Sequence, residues 1–265
     1  MPMKKSRRHA LGQHFLASPA VLGKIVGAID PHPDDVLVEI GAGRGVLTAA
    51  LAKSAGRVIA LEKDERLIPA LKEAMPANVE VVHADVLGVD FRALLRRAGV
   101  SSLRLVGNIP YSISSPLLIR ILDERALFSD CTFLLQKEVA ERVTAGPGSK
   151  SYAPLGILFQ NEFEARIALR VAPGSFSPPP KVQSALLVLL RRPAPLHTGI
   201  AGEPFRAFIR AAFAERRKML WKTLARRSNP AALAAAYDTL AIARNVRAEE
   251  LSADSLFALF QSLAS

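Results

Sequence analysis

Asn108-Ile109-Pro110-Tyr111 closes an apolar run that reads as a strand, and its residue types suit one demanding reaction. The exocyclic N6 of adenine is a poor nucleophile, because its lone pair is delocalised into the ring. Oxygen acceptors aimed at its two hydrogens pull it toward tetrahedral geometry and favour the charge that develops as it is methylated. Asn108 offers a neutral side-chain oxygen. Pro110 fixes its own φ and biases Ile109 toward an extended form, so the Ile109 carbonyl points out from the strand end as a second acceptor. Tyr111 adds a π-face, and stacking of a base on such a ring is worth about 1–3 kcal/mol. That is enough to hold an extruded or unpaired adenine. No strong general base is needed, since a methylated amine sheds its proton readily. An ordinary Asn-Pro turn is the alternative reading of the same residues.

A second group lies upstream. An apolar run ends in Glu39-Ile40-Gly41-Ala42-Gly43-Arg44-Gly45, and a helical period follows. Glycines there permit a tight strand-to-helix turn and close approach of backbone to a ligand. The spacing is Gly-x-Gly-x-Gly, not the Gly-x-Gly-x-x-Gly of dinucleotide enzymes, and no hydride-transfer pair is evident. Glu62 ends the next strand, where a carboxylate accepts from both hydroxyls of a ribose. Asp85, after the third strand, is placed to accept from an adenine amino group. Two acids beside a glycine turn disfavour a phosphate-rich ligand and suit a nucleoside that carries positive charge. S-adenosylmethionine, a sulfonium without phosphate, meets both conditions. A ligand-free turn, a strand-end surface acid at 62 and a helix cap at 85 are the alternatives.

Positioning these groups requires a sheet. Residues 36–40, 57–61, 79–83, 103–107 and 132–136 read as strands, with helical periods at 45–54, 65–74, 91–98 and 115–123 between them. This alternation predicts an α/β, doubly wound parallel sheet with crossover connections. Segments 162–171 and 184–190 are separated by the Pro-rich 173–181 and no helix, so they are expected to form an antiparallel, hairpin-like edge. Residues 192–204 are rich in Pro, Gly and small side chains, and the pattern beyond them is helical. Phe205, Phe208, Ile209 and Ala212 share an apolar face, while Arg206, Arg210 and Arg217 share another. The expected domains are 1–191, with a basic N-terminal segment, a linker at 192–203, and a smaller all-helical domain at 204–265.

The 265 residues carry 35 Lys and Arg against 24 Asp and Glu, a net charge of +11. Residues 1–29 hold five basic side chains and no acid, and residues 200–230 hold eight against Glu203 and Glu215. The rest of the chain is neutral in sum. Such clusters on a neutral body suit a polyanion, because binding to phosphates releases counterions; a solvated basic face is the alternative. Candidate RNA contacts are Arg7, Arg8, Arg206, Arg210, Arg216, Arg217, Lys218 and Lys222. No apolar run is long enough to span a membrane, and none follows the basic start, so neither a span nor a secretory leader is expected. The single cysteine, Cys131, lies in an apolar run. It excludes an internal disulfide and a Cys-cluster metal site, and it points to a buried thiol in a reducing compartment. His9, His32 and His197 stand in loop-like context and are expected at the surface.

Several motifs together resemble the ribosomal RNA adenine dimethyltransferases. They are Leu11-Gly12-Gln13-His14-Phe15-Leu16, Glu39-Ile40-Gly41-Ala42-Gly43, Asn108-Ile109-Pro110-Tyr111, Gln136-Lys137-Glu138-Val139 and Phe176-Ser177-Pro178-Pro179-Pro180-Lys181-Val182-Gln183-Ser184. The likeness extends to Ala212-Phe213-Ala214-Glu215-Arg216-Arg217-Lys218-Met219-Leu220, nearly the whole chain. It is strongest to the branch that dimethylates two adjacent adenosines near the 3′ end of small-subunit rRNA. The resemblance implies a class I methyltransferase, Rossmann-like, with a seven-stranded mostly parallel sheet and a helical C-terminal lobe. It implies S-adenosylmethionine held by His14, Leu16, Gly41, Gly43, Glu62, Asp85 and Asn108. Asn108, Pro110 and Tyr111 would frame the target amine, and Phe176 would close on the other face of the adenine. Position 14 is usually Asn in bacterial members, so His14 is a departure that leaves the lineage open. The implied setting is a cytoplasmic monomer acting on a small-subunit assembly intermediate.

Two other functions compete. A close relative modifies a single large-subunit adenosine; the 176–184 and 136–139 motifs and Arg216-Arg217-Lys218 disfavour it. A non-catalytic RNA-binding assembly factor would have lost Gly41, Glu62, Asp85 or Asn108, and all four are present. DNA adenine methylation shares the Asn-x-Pro-Tyr logic, but no segment resembles a DNA target-recognition domain.

Overall fold

The computed structural model describes residues 14–198, 202–215 and 218–264. They divide into two compact units. The first runs through Ala140 and returns for Ala165–Arg191; the second comprises Glu141–Glu164 and the chain from Arg192 onward.

The first unit opens with β1 (Phe15–Leu16) and α1 (Pro19–Ile29), followed by β2 (Val36–Ile40), α2 (Val46–Leu51), β3 (Arg57–Glu62), α3 (Ile68–Ala74) and β4 (Val79–His83). Next come α4 (Phe91–Ala98), β5 (Leu103–Asn108), α5 (Ser114–Asp123) and β6 (Phe128–Gln136). The chain changes unit within α6 (Lys137–Thr144), forms α7 (Pro154–Glu162), and returns along β7 (Phe163–Val171), β8 (Phe176–Ser177) and β9 (Ser184–Arg191). Seven strands form one sheet in the order β4-β3-β2-β5-β6-β9-β7, and β1 pairs with β8 in a separate two-stranded ladder. The β2–β3, β2–β5, β3–β4 and β5–β6 pairs are parallel, whereas β9 runs antiparallel to β6.

The seven-stranded, mostly parallel sheet is the one expected, but its last strands are arranged by burial. β9 is apolar and buried over most of its length and lies between β6 and β7. β7 exposes Glu164, Arg166 and Arg170 and takes the edge, where charged side chains discourage pairing with another chain. Local signals set the helix ends. Asp90 caps α4 by accepting from Ala93 N at 2.9 Å, and Gly99 ends it at a φ of 71°. Arg104 ties three stretches together, donating to Ile29 O at 2.6 Å, to Asp130 at 2.8 Å and to Asp35.

The second unit adds α8 (Glu203–Ala212), α9 (Leu220–Leu224), α10 (Pro230–Thr239) and α11 (Ala253–Ala264). Phe205, Ile209 and Ala212 of the expected apolar face are buried, and Phe208 is partly so. Phe205 meets Phe257 and Phe260 edge to face at 5.6 and 5.3 Å. The unit also takes in 141–164, which the periodicity assigns to the sheet domain. Tyr152 and Ile157 pack into this helical core, and Gly148 N donates to Glu249 O at 2.7 Å. Of the expected arginine face, Arg206 and Arg210 lie on α8, which ends at Ala212 with Phe213 buried after it, and Arg217 lies outside the described residues. His197 is not a free surface side chain. Its ring pairs with Asp254 at 2.5 Å and lies 4.9 Å from the Phe257 ring.

Candidate active site

The strand order reverses between β2 and β5, and open α/β sheets form a crevice beyond the carboxyl ends of strands at such a reversal. A cavity of about 150 Å³ lies there. It is lined by the turn after β2, Glu62 at the end of β3, Asp85 after β4, Asn108–Ile113 after β5, and His14 and Phe15.

Gly43 explains much of the first side. Its φ is 60°, in the left-handed region, and an added Cβ would lie 3.0 Å from the Phe15 ring. Its N–H donates to Glu62 Oε2 at 2.7 Å, and Asp64 N donates to Glu62 Oε1 at 2.7 Å. The amide that would meet a phosphate in a dinucleotide turn is therefore committed to a carboxylate. Glu62 is only 4% exposed, yet each oxygen keeps lone-pair capacity for a ligand hydroxyl.

Asp85 is a cap, and it also faces the cavity. Its Oδ1 accepts from Leu87 N at 3.1 Å, capping a short turn, and the residue lines the cavity. Its Oδ2 pairs with Lys63 Nζ at 2.6 Å. The Lys63 ammonium holds the Asp85 carboxyl below the usual carboxylate range, helped by the Leu87 N–H and opposed by partial burial. Lys63 also lines the cavity and is missing from the sequence-based site, although its place beside Glu62 at a strand end was a usable signal. Below the turn, burial pushes the Glu39 carboxyl up to about 8; Thr48 opposes the shift and the neighbouring Glu62 adds to it. Glu39 is 2% exposed, and its Oε2 has no hydrogen-bond partner among the described residues.

On the other side the tetrapeptide is held from several directions. Gly107 lets β5 approach β2, since an added Cβ would lie 2.4 Å from Ile40 O. Asn108 Nδ2 donates to His14 O at 2.7 Å, and Ile109 N donates to Leu134 O at 2.9 Å. The Tyr111 hydroxyl is 2.9 Å from Oγ of the buried Ser184. An acceptor amide and an aromatic ring thus stand fixed in one cavity with two carboxylates, a set suited to a cationic nucleoside and a purine amine.

The sequence matches ribosomal RNA adenine dimethylases over residues 4–265. It is 42% identical over 261 residues to "Ribosomal RNA small subunit methyltransferase A" of Xylella fastidiosa, covering 97% of this chain and 95% of that protein. The Geobacter metallireducens protein of the same name is 43% identical over 219 residues, 82% of this chain and 80% of its own. The chain belongs to the ribosomal RNA adenine dimethylase family. The fold agrees with this membership. A dimethyladenosine transferase from Plasmodium falciparum superposes with a TM-score of 0.78 at 27% identity, covering 93% of this chain and 96% of that one. The 23S rRNA methyltransferase ErmE does so with a TM-score of 0.75 at 28% identity, covering 95% and 100%. The protein is thus a methyltransferase of the class I fold.

For this family member, the structure brings His14, Gly41, Gly43, Glu62, Asp85, Asn108, Pro110 and Tyr111 to one cavity. It does not bring Leu16 and Phe176 there. They face each other in the β1–β8 ladder and pack into the sheet core with Leu134 and Leu186, and Phe176 is only 4% exposed. The ring expected opposite Tyr111 is therefore buried among aliphatic side chains. Arg7, Arg8, Arg216 and Arg217 lie outside the described residues. Arg210, Lys218 and Lys222 are exposed, whereas Arg206 is half-buried. Arg210 pairs with Glu203, and Lys218 with Glu215 at 2.6 Å. Among the described residues, no helix is long and apolar enough to cross a membrane.

Proposed function

We propose that this enzyme transfers methyl groups from S-adenosylmethionine to N6 of two adjacent adenosines near the 3′ end of small-subunit rRNA. It acts as a cytoplasmic monomer on an assembling small ribosomal subunit. The observation that carries the reading is the single cavity joining Glu62 and Asp85 to Asn108–Tyr111. Identities of 42–43% to proteins named for the small subunit favour that substrate over the large-subunit one suggested by the 28% match to ErmE.

When bound, S-adenosylmethionine would supply an electrophilic methyl on its sulfonium, the C–S bonding pair staying on sulfur as N6 takes the methyl. Glu62 would accept from the ribose hydroxyls and Asp85 from the adenine amine of that cofactor, and both line the cavity. Oδ1 of Asn108 and the Ile109 carbonyl accept from the target amine, localise its lone pair and favour the positive charge that forms on nitrogen. The Tyr111 ring, held through Ser184, stacks on the target base. The apolar walls at Phe15, Ile40 and Ile109 exclude water from the line of transfer. The new ammonium loses its proton to solvent, and the second methyl would come from a second S-adenosylmethionine after the spent thioether leaves. Exposed Lys218, Lys222, Arg226 and Arg227 on the second unit supply charge for the RNA backbone.

The test is methylation of purified small and large subunits from a strain lacking the modification, mapped by primer extension. Adjacent stops near the 3′ end of small-subunit rRNA are expected. Label confined to large-subunit rRNA would reject the assignment.

A further inference from the structure

Residue 14 is tied both to Asn108 in the cavity and to the proline-rich loop at Pro178. Its carbonyl oxygen is 2.7 Å from Asn108 Nδ2, and its ring Nδ1 is 2.9 Å from Pro178 O. Carbonyl oxygens only accept, so the Asn108 group facing His14 is the NH₂ and the His14 Nδ1 carries a proton. The His14 ring is 5.7 Å from the Tyr111 ring, tilted by 39°. The next residues complete a strap. Phe15 and Leu16 pair with Ser177 and Phe176, and Ala17 N donates to Ser175 O at 2.8 Å. His14 and Phe15 then form part of the cavity wall.

We infer that His14 is a positioning residue: it latches the strap to the Pro178 carbonyl and so turns the oxygen of Asn108 toward the substrate amine. The inference rests on the function proposed above and names a residue that prepares its acceptor. The two faces of a primary amide have nearly equal shape, so packing alone does not choose between them. In the wrong orientation Asn108 presents N–H groups to an amine that needs acceptors. The His14 carbonyl removes that orientation, because NH₂ is the only end of the amide it can bind. The latch thereby couples the placement of the strap to the orientation of Asn108. An Asn at position 14 could make the same bond, because His Nδ1 and Asn Nδ2 are both donors two bonds from Cβ.

The test uses His14→Leu, which removes the ring donor, and His14→Asn, which keeps one at the same place. The first readout needs no substrate. In cofactor-free protein, His14→Leu should speed amide exchange at Ala17 by about tenfold or more and shift the side-chain ¹⁵N resonance of Asn108, with β2 amides unchanged. His14→Asn should restore both. The second readout is the kinetic split. At saturating S-adenosylmethionine, kcat of His14→Leu should fall about tenfold, and His14→Asn should return to within about threefold of the parent. A His14→Leu enzyme with unchanged kcat and a raised cofactor KM would make His14 a cofactor contact only and overturn the inference. An unmoved Asn108 resonance, or His14→Asn failing as badly as His14→Leu, would overturn it as well. If the parent enzyme methylates neither subunit, the proposed function fails, and the exchange and resonance measurements still decide the latch.

Discussion

In the sheet unit, the polar side chains around the cavity are constrained by the backbone. Glu62 takes two backbone N–H groups, Asp85 takes one, and Asn108 donates to a carbonyl. In the helical unit, the polar side chains of interest stand outside an aromatic core and meet other side chains, as Lys218 and Arg226 both meet Glu215. The first arrangement fixes directions, which group transfer requires. The second supplies charge, which tolerates loose geometry because phosphate attraction is long-ranged and adds over many contacts. Substitutions in the sheet unit should therefore act steeply and singly, and those on the helical surface weakly and in sum.

Asn108→Ala should break the contrast most visibly. It removes the neutral acceptor, and kcat should fall on the order of 10³-fold, about 4 kcal/mol, with an unchanged melting temperature. Steady-state methylation with calorimetry on the same sample checks both halves. Glu62→Gln comes next. One amide end must then confront a backbone N–H, so affinity for S-adenosylmethionine should drop about 100-fold by isothermal titration. Glu39→Gln sharpens the picture through stability. Because burial raises the folded-state pKa of Glu39 to about 8 from 4.5, the unfolded chain ionises first as pH rises. The parent therefore loses stability between about pH 4.5 and 8, whereas the Gln variant lacks this loss, a gain on the order of a few kcal/mol at pH 8. Denaturant titrations at pH 5 and pH 8 compare them. The smallest effect is expected from Lys218→Glu with Lys222→Glu. RNA affinity should weaken several-fold at low salt, and the slope against log salt should flatten by roughly 0.7–0.9 per phosphate contact removed. An unchanged slope would place the RNA surface elsewhere.

Much of the sheet unit is legible in sequence because its signals are local. The expected strands 36–40 and 79–83 and the helix 91–98 coincide with β2, β4 and α4, the last marked by its Asp90 cap and Gly99 stop. By contrast α1 and α7 escape a periodicity search. Pro19–Ile29 and Pro154–Glu162 are apolar around much of the helix, with internal glycines, and show no narrow stripe. The site divides the same way. Glycine spacing and the Asn-Ile-Pro-Tyr turn mark the cavity, because each fixes its own backbone. The Lys63–Asp85 pair, the burial of Phe176 against Leu16 and the Asn108–His14 bond join residues 22, 160 and 94 positions apart in the chain, and no short motif encodes them.

The lone thiol has a practical corollary. Cys131 is 0% exposed in the middle of β6, and burial raises its pKa well above the ordinary thiol value. A thiol that is both sealed and protonated ignores alkylating reagents until its strand is released. Modification by a maleimide would then count openings of the sheet one molecule at a time, giving the protein a native clock for unfolding without any introduced label.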